Sequence, residues 1–206
     1  MIGPYWLGDI PAEAALITVI RDPDATPLTD FDNAYYGIVD AAGVIVHSGA
    51  ANIVDEQTLL LNWPTTSVFA TRGVYSMQFQ LMRTSPPAVE TTSVLKFVVQ
   101  ERMTGWLTLQ WVRDRWRDAP DSDEALFSVL EVARSQVEAW APAYEGYPPI
   151  NYREAQLMQA RNIWNASKTD PSNFGIGDDG MVIRPFPMDW TVKNIIRPKV
   201  PKWVVA

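Results

Sequence analysis

The sequence predicts an α+β protein, with an N-terminal antiparallel β-sandwich followed by a small helical domain. Short runs rich in Val, Ile, Tyr and Phe, separated by turn residues, extend from Ala14 to about Glu101. Beyond them the apolar residues recur every three to four positions, which is typical of amphipathic helices. We therefore divide the chain into a β-sandwich domain at 1–102, a Trp- and Arg-rich junction at 103–118 and a helical domain at 119–206.

The first half contains about seven strand-length runs. The run YSMQFQLMR places four apolar side chains on one face, as expected for a half-buried strand: Tyr75, Met77, Phe79 and Leu81. The tetrapeptide Asp40–Gly43 predicts a hairpin, and Thr84–Pro87 predicts a second turn. Strands at this spacing imply a small sandwich that is immunoglobulin-like in the loose architectural sense, without the paired cysteines of that fold.

The junction MTGWLTLQWVRDRWRDAP carries Trp106, Trp111 and Trp116 at intervals of five. It fits either a last strand that runs into a turn or a short helix. The interleaved arginines Arg113, Arg115 and Arg117 could contact nucleic acid, with the tryptophans stacking on bases. Tryptophan this dense near a domain boundary is more often packing, and we favour that interpretation.

The second half predicts two helices and one short helix. Pro120 followed by DSDE is a helix start, and apolar residues at helical spacing indicate an amphipathic helix from Asp121 to Ala141. A second helix is expected at about 151–166, and a short one capped by Asp189 and ended by Pro198. The expected buried positions are Leu126, Leu130, Ala133, Val137 and Trp140 in the first helix, and Leu157, Ala160, Ile163 and Trp164 in the second.

Composition argues against catalysis, cofactors and metals. The chain has no cysteine and one histidine, His47, so thiolate chemistry and histidine metal clusters are excluded. His47 is interpreted as a strand residue beside a turn, and Asp55 and Glu56, like Asp22 and Asp24, as solvated turn residues. No apolar run spans a bilayer and the first residues do not resemble a secretory signal, so we expect no membrane association.

One glycine-rich motif, GIGDDG, places glycines at 175, 177 and 180 in the G-x-G-x-x-G pattern. A dinucleotide site would need a strand before Gly175 and a helix directly after Gly180. The preceding SKTDPSNF is turn-forming and the following MVIRPFP reads as extended, so neither side fits. We interpret Asp178–Gly180 as the turn of a hairpin, with no nucleotide bound.

Charge is distributed unevenly. The net charge is -7, and residues 1–102 carry 5 basic and 11 acidic residues, whereas residues 103–206 carry 12 basic and 13 acidic residues. No acidic residue follows Asp189, which makes the C-terminal segment a basic tail on an acidic protein. The cations of this tail are Lys193, Arg197, Lys199 and Lys202.

The order of elements in the C-terminal half resembles a known family. The segments DSDEALFSVLEVARSQVEAWAP, PPINYREAQLMQARNIWNAS, GIGDDGMVI and DWTVKNIIRPK resemble, over about residues 118–200, the head-to-tail connector (adaptor) proteins of long-tailed bacteriophages, especially those of actinobacterial phages. The resemblance implies a twelvefold homo-oligomeric ring beneath the portal protein that continues the DNA channel and docks the next neck or tail-terminator protein. Small members of that family usually lack an N-terminal β domain.

The expected function is therefore a structural, non-enzymatic virion protein of the neck, between capsid and tail, made in the host cytoplasm. The basic tail is compatible with contact to an acidic portal surface or to channel DNA. It is equally compatible with a solvated tail that has no partner. Two alternatives stay open: a baseplate or tail-fibre attachment protein, and a virion-associated cell-wall hydrolase, which the missing cysteines and histidines disfavour. The residues expected at a subunit or portal interface are Trp140, Trp164, Gly175, Gly177, Gly180, Trp190, Lys193, Arg197, Lys199 and Lys202.

Overall fold

The protein is a mixed α+β chain, which confirms the predicted class. Contacts between Cα atoms divide it into two compact units, residues 1–102 and residues 103–206. The computed structural model describes residues 3–21, 25–169, 174–177, 180–183 and 187–198. The side chains of residue 169 and of residues 174–183 are not part of that description.

The first unit is built from strands. Within its described residues these are β1 (Tyr5–Trp6), β2 (Ala15–Thr18), β3 (Asn33–Val39), β4 (Ile45–Ile53), β5 (Thr58–Leu61), β6 (Gly73–Arg83), β7 (Ala88–Thr91) and β8 (Leu95–Gln100). A short 3-10 turn covers Leu28–Asp30. The strands lie in the order β1-β8-β6-β3-β4-β5-β2, with β7 also paired to β6. The β1–β8 pair is parallel and the others are antiparallel.

The sheet curls because β4 pairs with two partners in turn. Its first part, through Ala51, pairs with β3, and Asn52 and Ile53 pair with β5. One continuous strand therefore belongs to both ladders, and the strands form a half-barrel. The predicted immunoglobulin-like sandwich is therefore not confirmed. The alternating sequence pattern predicts which face of each strand is buried, but it does not predict where a strand changes its pairing partner.

Strand β6 shows how the alternating pattern builds the core. Tyr75, Met77, Phe79 and Leu81 are each at most 2% exposed, as predicted. The Tyr75 hydroxyl donates to the Thr71 carbonyl oxygen at 2.9 Å, so its polar end is satisfied. Rings packed together on the same core belong to Tyr5, Trp63, Phe69, Tyr75 and Phe97. Full burial of one such side chain is worth about 1.5–3 kcal/mol.

Both predicted turns are confirmed. Between β3 and β4, the Asp40 carboxylate accepts hydrogen bonds from the backbone N–H groups of Ala42 and Val44, each at 2.9 Å. Gly43 lies at φ +82, where an L side chain would be strained. The Thr84–Pro87 segment connects β6 to β7, and the Thr84 backbone N–H donates to the Asp32 carboxylate at 2.6 Å.

The second unit is mainly helical. Its described elements are α1 (Leu109–Arg113), α2 (Asp123–Trp140), α3 (Ile150–Thr169), β9 (Phe174–Gly177), β10 (Gly180–Ile183) and α4 (Trp190–Ile196). The junction question is resolved in favour of a short helix, because the Thr108 hydroxyl caps α1 by accepting from the Trp111 N–H. Ser122 caps α2 and Asp189 caps α4, through the Ala125 and Val192 N–H groups.

Helices α2 and α3 bury the apolar stripes that the spacing predicts. Leu126, Leu130, Ala133 and Val137 in α2 are at most 3% exposed, and Leu157, Ala160 and Ile163 in α3 are at most 7% exposed. Two predicted members differ. Trp140 is 40% exposed because it is the last residue of α2, and Trp164 is half-buried at the edge of the α3 stripe.

The glycine motif forms an antiparallel pair of strands. Gly180 of β10 pairs with Gly177 of β9, and Val182 pairs with Gly175. A strand therefore follows the glycines where a dinucleotide site requires a helix. Asp178 and Asp179, which connect the strands, lie outside the described residues.

We predict that Thr84→Val raises the pKa of Asp32 towards its ordinary value. The Thr84 hydroxyl and backbone N–H both donate to the Asp32 carboxylate and hold its pKa below the usual range. A depressed folded pKa contributes stability that is present above the unfolded pKa, about 3.9, and is lost as the pH falls through the folded value. NMR titration of the carboxyl carbons measures the shift.

Asp55 is the internal control for this titration. Its pKa is lowered by the Gln57 N–H and the Thr58 side chain, neither of which the substitution changes. An unchanged Asp32 midpoint in Thr84→Val, or an equal shift at Asp55, would contradict the assignment.

Candidate functional site

A buried amide positions the surfaces of the helical unit. Gln156 of α3 is 1% exposed. Its Oε1 accepts from the Leu107 backbone N–H at 3.2 Å, and its Nε2 donates to the Leu130 carbonyl oxygen of α2 at 3.1 Å. One side chain therefore joins the segment before α1 to both long helices.

Helix α4 is held against α3 by two amide side chains. The Asn151 Nδ2 donates to the Ile195 carbonyl oxygen at 2.9 Å, near the end of α4. The Asn162 Nδ2 donates to the Asp189 carboxylate at 2.9 Å, at its start. The same Asp189 carboxylate caps α4, so one acid both begins the helix and fixes it to α3.

The inner face of α4 completes a small core. Val192 and Ile196 are at most 3% exposed and pack in a cluster with Trp106, Val137 and Tyr152. Ile195 packs against the edge of the same cluster, and the other positions of the seven-residue helix lie outside it. The outer positions include Trp190, which is 68% exposed, and Lys193.

Three of the predicted interface residues meet at one aromatic ring, and a fourth, Trp190, is the first residue of α4. The Lys193 Nζ lies 4.8 Å and the Arg197 guanidinium carbon 5.2 Å from the centre of the Trp140 ring. Both cations therefore lie over one partly exposed indole, whose ring quadrupole attracts positive charge. We name Trp140, Trp190, Lys193 and Arg197 the α4 surface.

The other predicted interface residues lie elsewhere. The Trp164 Nε1 donates to the Asp118 carbonyl oxygen at 3.2 Å, and the Lys168 Nζ lies 5.2 Å from its ring. Trp164 therefore fixes the segment after α1 to α3 and is separate from the α4 surface. The glycines at 175, 177 and 180 lie in β9 and β10. Lys199 and Lys202 fall outside the described residues.

A second cationic surface combines Arg115, which the sequence suggested as a possible nucleic-acid contact, with cations of α3 that the sequence did not suggest. The Arg115 guanidinium lies 4.1 Å from the Trp111 ring centre, and that of Arg153 lies 5.7 Å from the same ring. Arg161 lies 5.8 Å from the Trp116 ring centre. The signal in the sequence was the spacing of Arg153, Arg161 and Lys168 by eight and seven residues, which places all three on one side of a helix.

In the strand-rich unit, His47 and Tyr36 form a polar pair whose role is structural. The His47 Nε2 lies 3.1 Å from the Tyr36 hydroxyl, which donates to the Asn62 carbonyl oxygen at 3.2 Å. Tyr36 is 4% exposed, and burial raises the pKa of its hydroxyl. His47 lies in β4, as the sequence indicated, and satisfies a buried tyrosine.

In the described part of the chain, no group of three or more His, Asp or Glu side chains is placed to hold a metal ion. Within the same ranges, no helix is both long and apolar enough to cross a membrane.

No family model matches the chain, and no curated protein matches it. Among solved structures, the crystal structure of CopC from Methylosinus trichosporium OB3b is similar, with a TM-score of 0.30 and 16% sequence identity. That similarity covers 48% of this chain and 84% of CopC. A score this low supports no inference about function.

We predict that Gln156→Leu destabilises the protein by about 1–3 kcal/mol. The substitution leaves the Leu107 N–H without an acceptor in a buried site and removes the hydrogen bond to the Leu130 carbonyl oxygen. Denaturant unfolding of the full chain, followed by the helical signal, measures this change. Gln110→Leu is the matched control, since Gln110 is exposed and donates to Asp114 on the surface. Equal losses in the two variants would show that the buried amide is not special.

Proposed function

We propose that this protein is a structural component of a bacteriophage neck, a head-to-tail connector whose helical unit binds neighbouring subunits and the portal protein. The α4 surface is the observation that carries the proposal. It combines two exposed tryptophans with two cations, and tryptophan and arginine are the residues most enriched at interface hot spots. The resemblance of residues 118–200 to connector proteins supplies the class of assembly.

The chemistry of the α4 surface fits an acidic protein partner. Lys193 and Arg197 lie over the Trp140 ring, and neither forms an ion pair with a carboxylate among the described residues. Their charge is therefore available to carboxylates of a partner, while Trp140 and Trp190 supply apolar area. In a ring, each such contact is repeated by symmetry, so a modest contact is sufficient for a stable assembly.

The proposed partners follow from the same assembly. Copies of this chain form the ring, which we take to be twelvefold, and the portal and the next neck or tail-terminator protein bind its two sides. DNA passes through its channel. No enzymatic step belongs to this role.

We also propose that the strand-rich unit is an outward-facing decoration, immunoglobulin-like in the loose architectural sense. Its antiparallel ladders and aromatic core support this classification. The change of partner along β4 is the feature that a sandwich would need at a corner between its two sheets.

Localisation in purified virus particles tests the function. Cryo-electron microscopy of the neck should show ring density into which the α2–α3 hairpin fits. Density at the baseplate would overturn the connector assignment in favour of a baseplate or tail-fibre attachment protein. Digestion of cell walls by the purified chain would instead support a virion-associated hydrolase.

We predict that Trp190→Ala reduces incorporation of the protein into particles by at least about tenfold, which corresponds to about 1.4 kcal/mol. Trp190 is 68% exposed, so its removal should change the melting temperature of the isolated chain little. Quantitative mass spectrometry of particles measures incorporation. Tyr35→Ala is the control, because Tyr35 is an exposed aromatic residue of the strand-rich unit, at 44%. Wild-type incorporation of Trp190→Ala would remove this residue from the interface.

A further inference from the structure

Four cations of the helical unit lie along one side of α3, and none of them forms an ion pair with a carboxylate of the described residues. We name Arg115, Arg153, Arg161 and Lys168 the cation stripe. Three of them belong to α3, where Arg153 and Lys168 are separated by fifteen residues, or about 22 Å along the axis. The fourth, Arg115, follows α1 and is exposed.

Tryptophan rings hold the stripe in place. Trp111 is half-buried and contacts Arg115 and Arg153, at 4.1 Å and 5.7 Å from its ring centre. Because indole rings fix the guanidinium planes, these side chains lose less conformational entropy when they bind an anion than free surface arginines would.

The lower part of the stripe is arranged in the same way. Arg161 lies over Trp116 at 5.8 Å and donates from its NH2 group to the Arg115 carbonyl oxygen at 3.1 Å. Lys168 lies over Trp164 at 5.2 Å and is exposed. The stripe is therefore a connected structure rather than a set of independent surface charges.

Arg113 shows what a structural arginine looks like in the same region. Its Nε donates to the Asp123 carboxylate at 3.1 Å, and its other nitrogens donate to the Pro120 and Asp121 carbonyl oxygens. In contrast, no carboxylate within the described ranges forms an ion pair with any member of the stripe. The buried Nε atoms of Arg153 and Arg161 also have no hydrogen-bond partner there.

We propose that the cation stripe binds the phosphate backbone of double-stranded DNA. A regular row of cations about 22 Å long matches a ligand that presents phosphates in series along its length. A membrane surface fits less well, because the apolar side chains of α3, such as Ala155 and Ile163, are buried inside the unit and cannot insert into lipid. The contacts carry no base readout, so binding is independent of sequence.

The choice of DNA rests on the proposed neck function, in which DNA passes through the ring. The stripe is distinct from the α4 surface, whose cations lie on Trp140. This distinction gives the experiment a matched control, because each surface contains cations held by tryptophan and only one of them should contact DNA.

Fluorescence anisotropy with a short DNA duplex of mixed sequence tests the stripe, using the purified full chain between about 50 and about 200 mM salt. Each phosphate contact contributes about 0.9 to the slope of log K against log salt. The double variant Arg153→Gln/Arg161→Gln should therefore lower the slope by about 1.8 and weaken binding, whereas Lys193→Gln/Arg197→Gln should leave the slope unchanged.

Folding and charge are controlled separately. Arg153→Lys/Arg161→Lys keeps both charges and should recover most of the salt slope, and circular dichroism confirms that each variant is folded. The proposal is overturned if the wild-type chain does not bind the duplex at the lowest salt, or if Arg153→Gln/Arg161→Gln binds like wild type. Equal or stronger binding to phosphatidylserine vesicles than to the duplex would also overturn it.

The outcome is independent of virion localisation. Duplex binding through the stripe by a protein found at the baseplate would end the connector proposal and leave the stripe as a DNA-binding surface. Localisation at the neck without duplex binding would support the connector proposal and end the proposal that the stripe binds DNA.

Discussion

The helical unit depends on the burial of one amide, that of Gln156. A buried amide without partners is costly, so α3 can pack only where the Leu107 N–H and the Leu130 carbonyl oxygen meet it. That position brings Trp106 and Leu107 into the core, at 6% and 8% exposure, and α1 begins directly after them. The Trp111 ring is therefore fixed beside α3 by a contact in the protein interior.

Helix α3 distributes three tasks around its circumference. Successive residues are rotated by about 100°, so Asn151 and Asn162 lie close together on one side and face α4. The middle faces α2 and contains Gln156. Arg153 and Arg161 follow at about 60° and 140° around the axis from Gln156, between that buried face and the two asparagines. The α4 surface and the cation stripe are therefore attached to different parts of the circumference of one helix.

The features that could be predicted from the sequence are those determined by neighbouring residues. Alternation in β6, the turn at Asp40, the helix start at DSDE and the cap at Asp189 depend on residues within about four positions, and all were found. The curl at β4 and the pairing of Trp111 with Arg153 join residues far apart in the chain, which no local pattern encodes. Gln156 is marked in the sequence only as a polar residue within the apolar stripe of α3, and that pattern does not identify its partners.

A protein of net charge -7 can still bind DNA if its cations are concentrated. Carboxylates farther from the stripe than the Debye length, about 8 Å at physiological ionic strength, contribute little to the potential there. The overall negative charge still opposes long-range association and keeps each contact weak. In the proposed connector, weak, sequence-independent contacts would suit the channel, because DNA held tightly by the ring could not move through it. The acidic composition and the cation stripe are therefore both compatible with that proposed role.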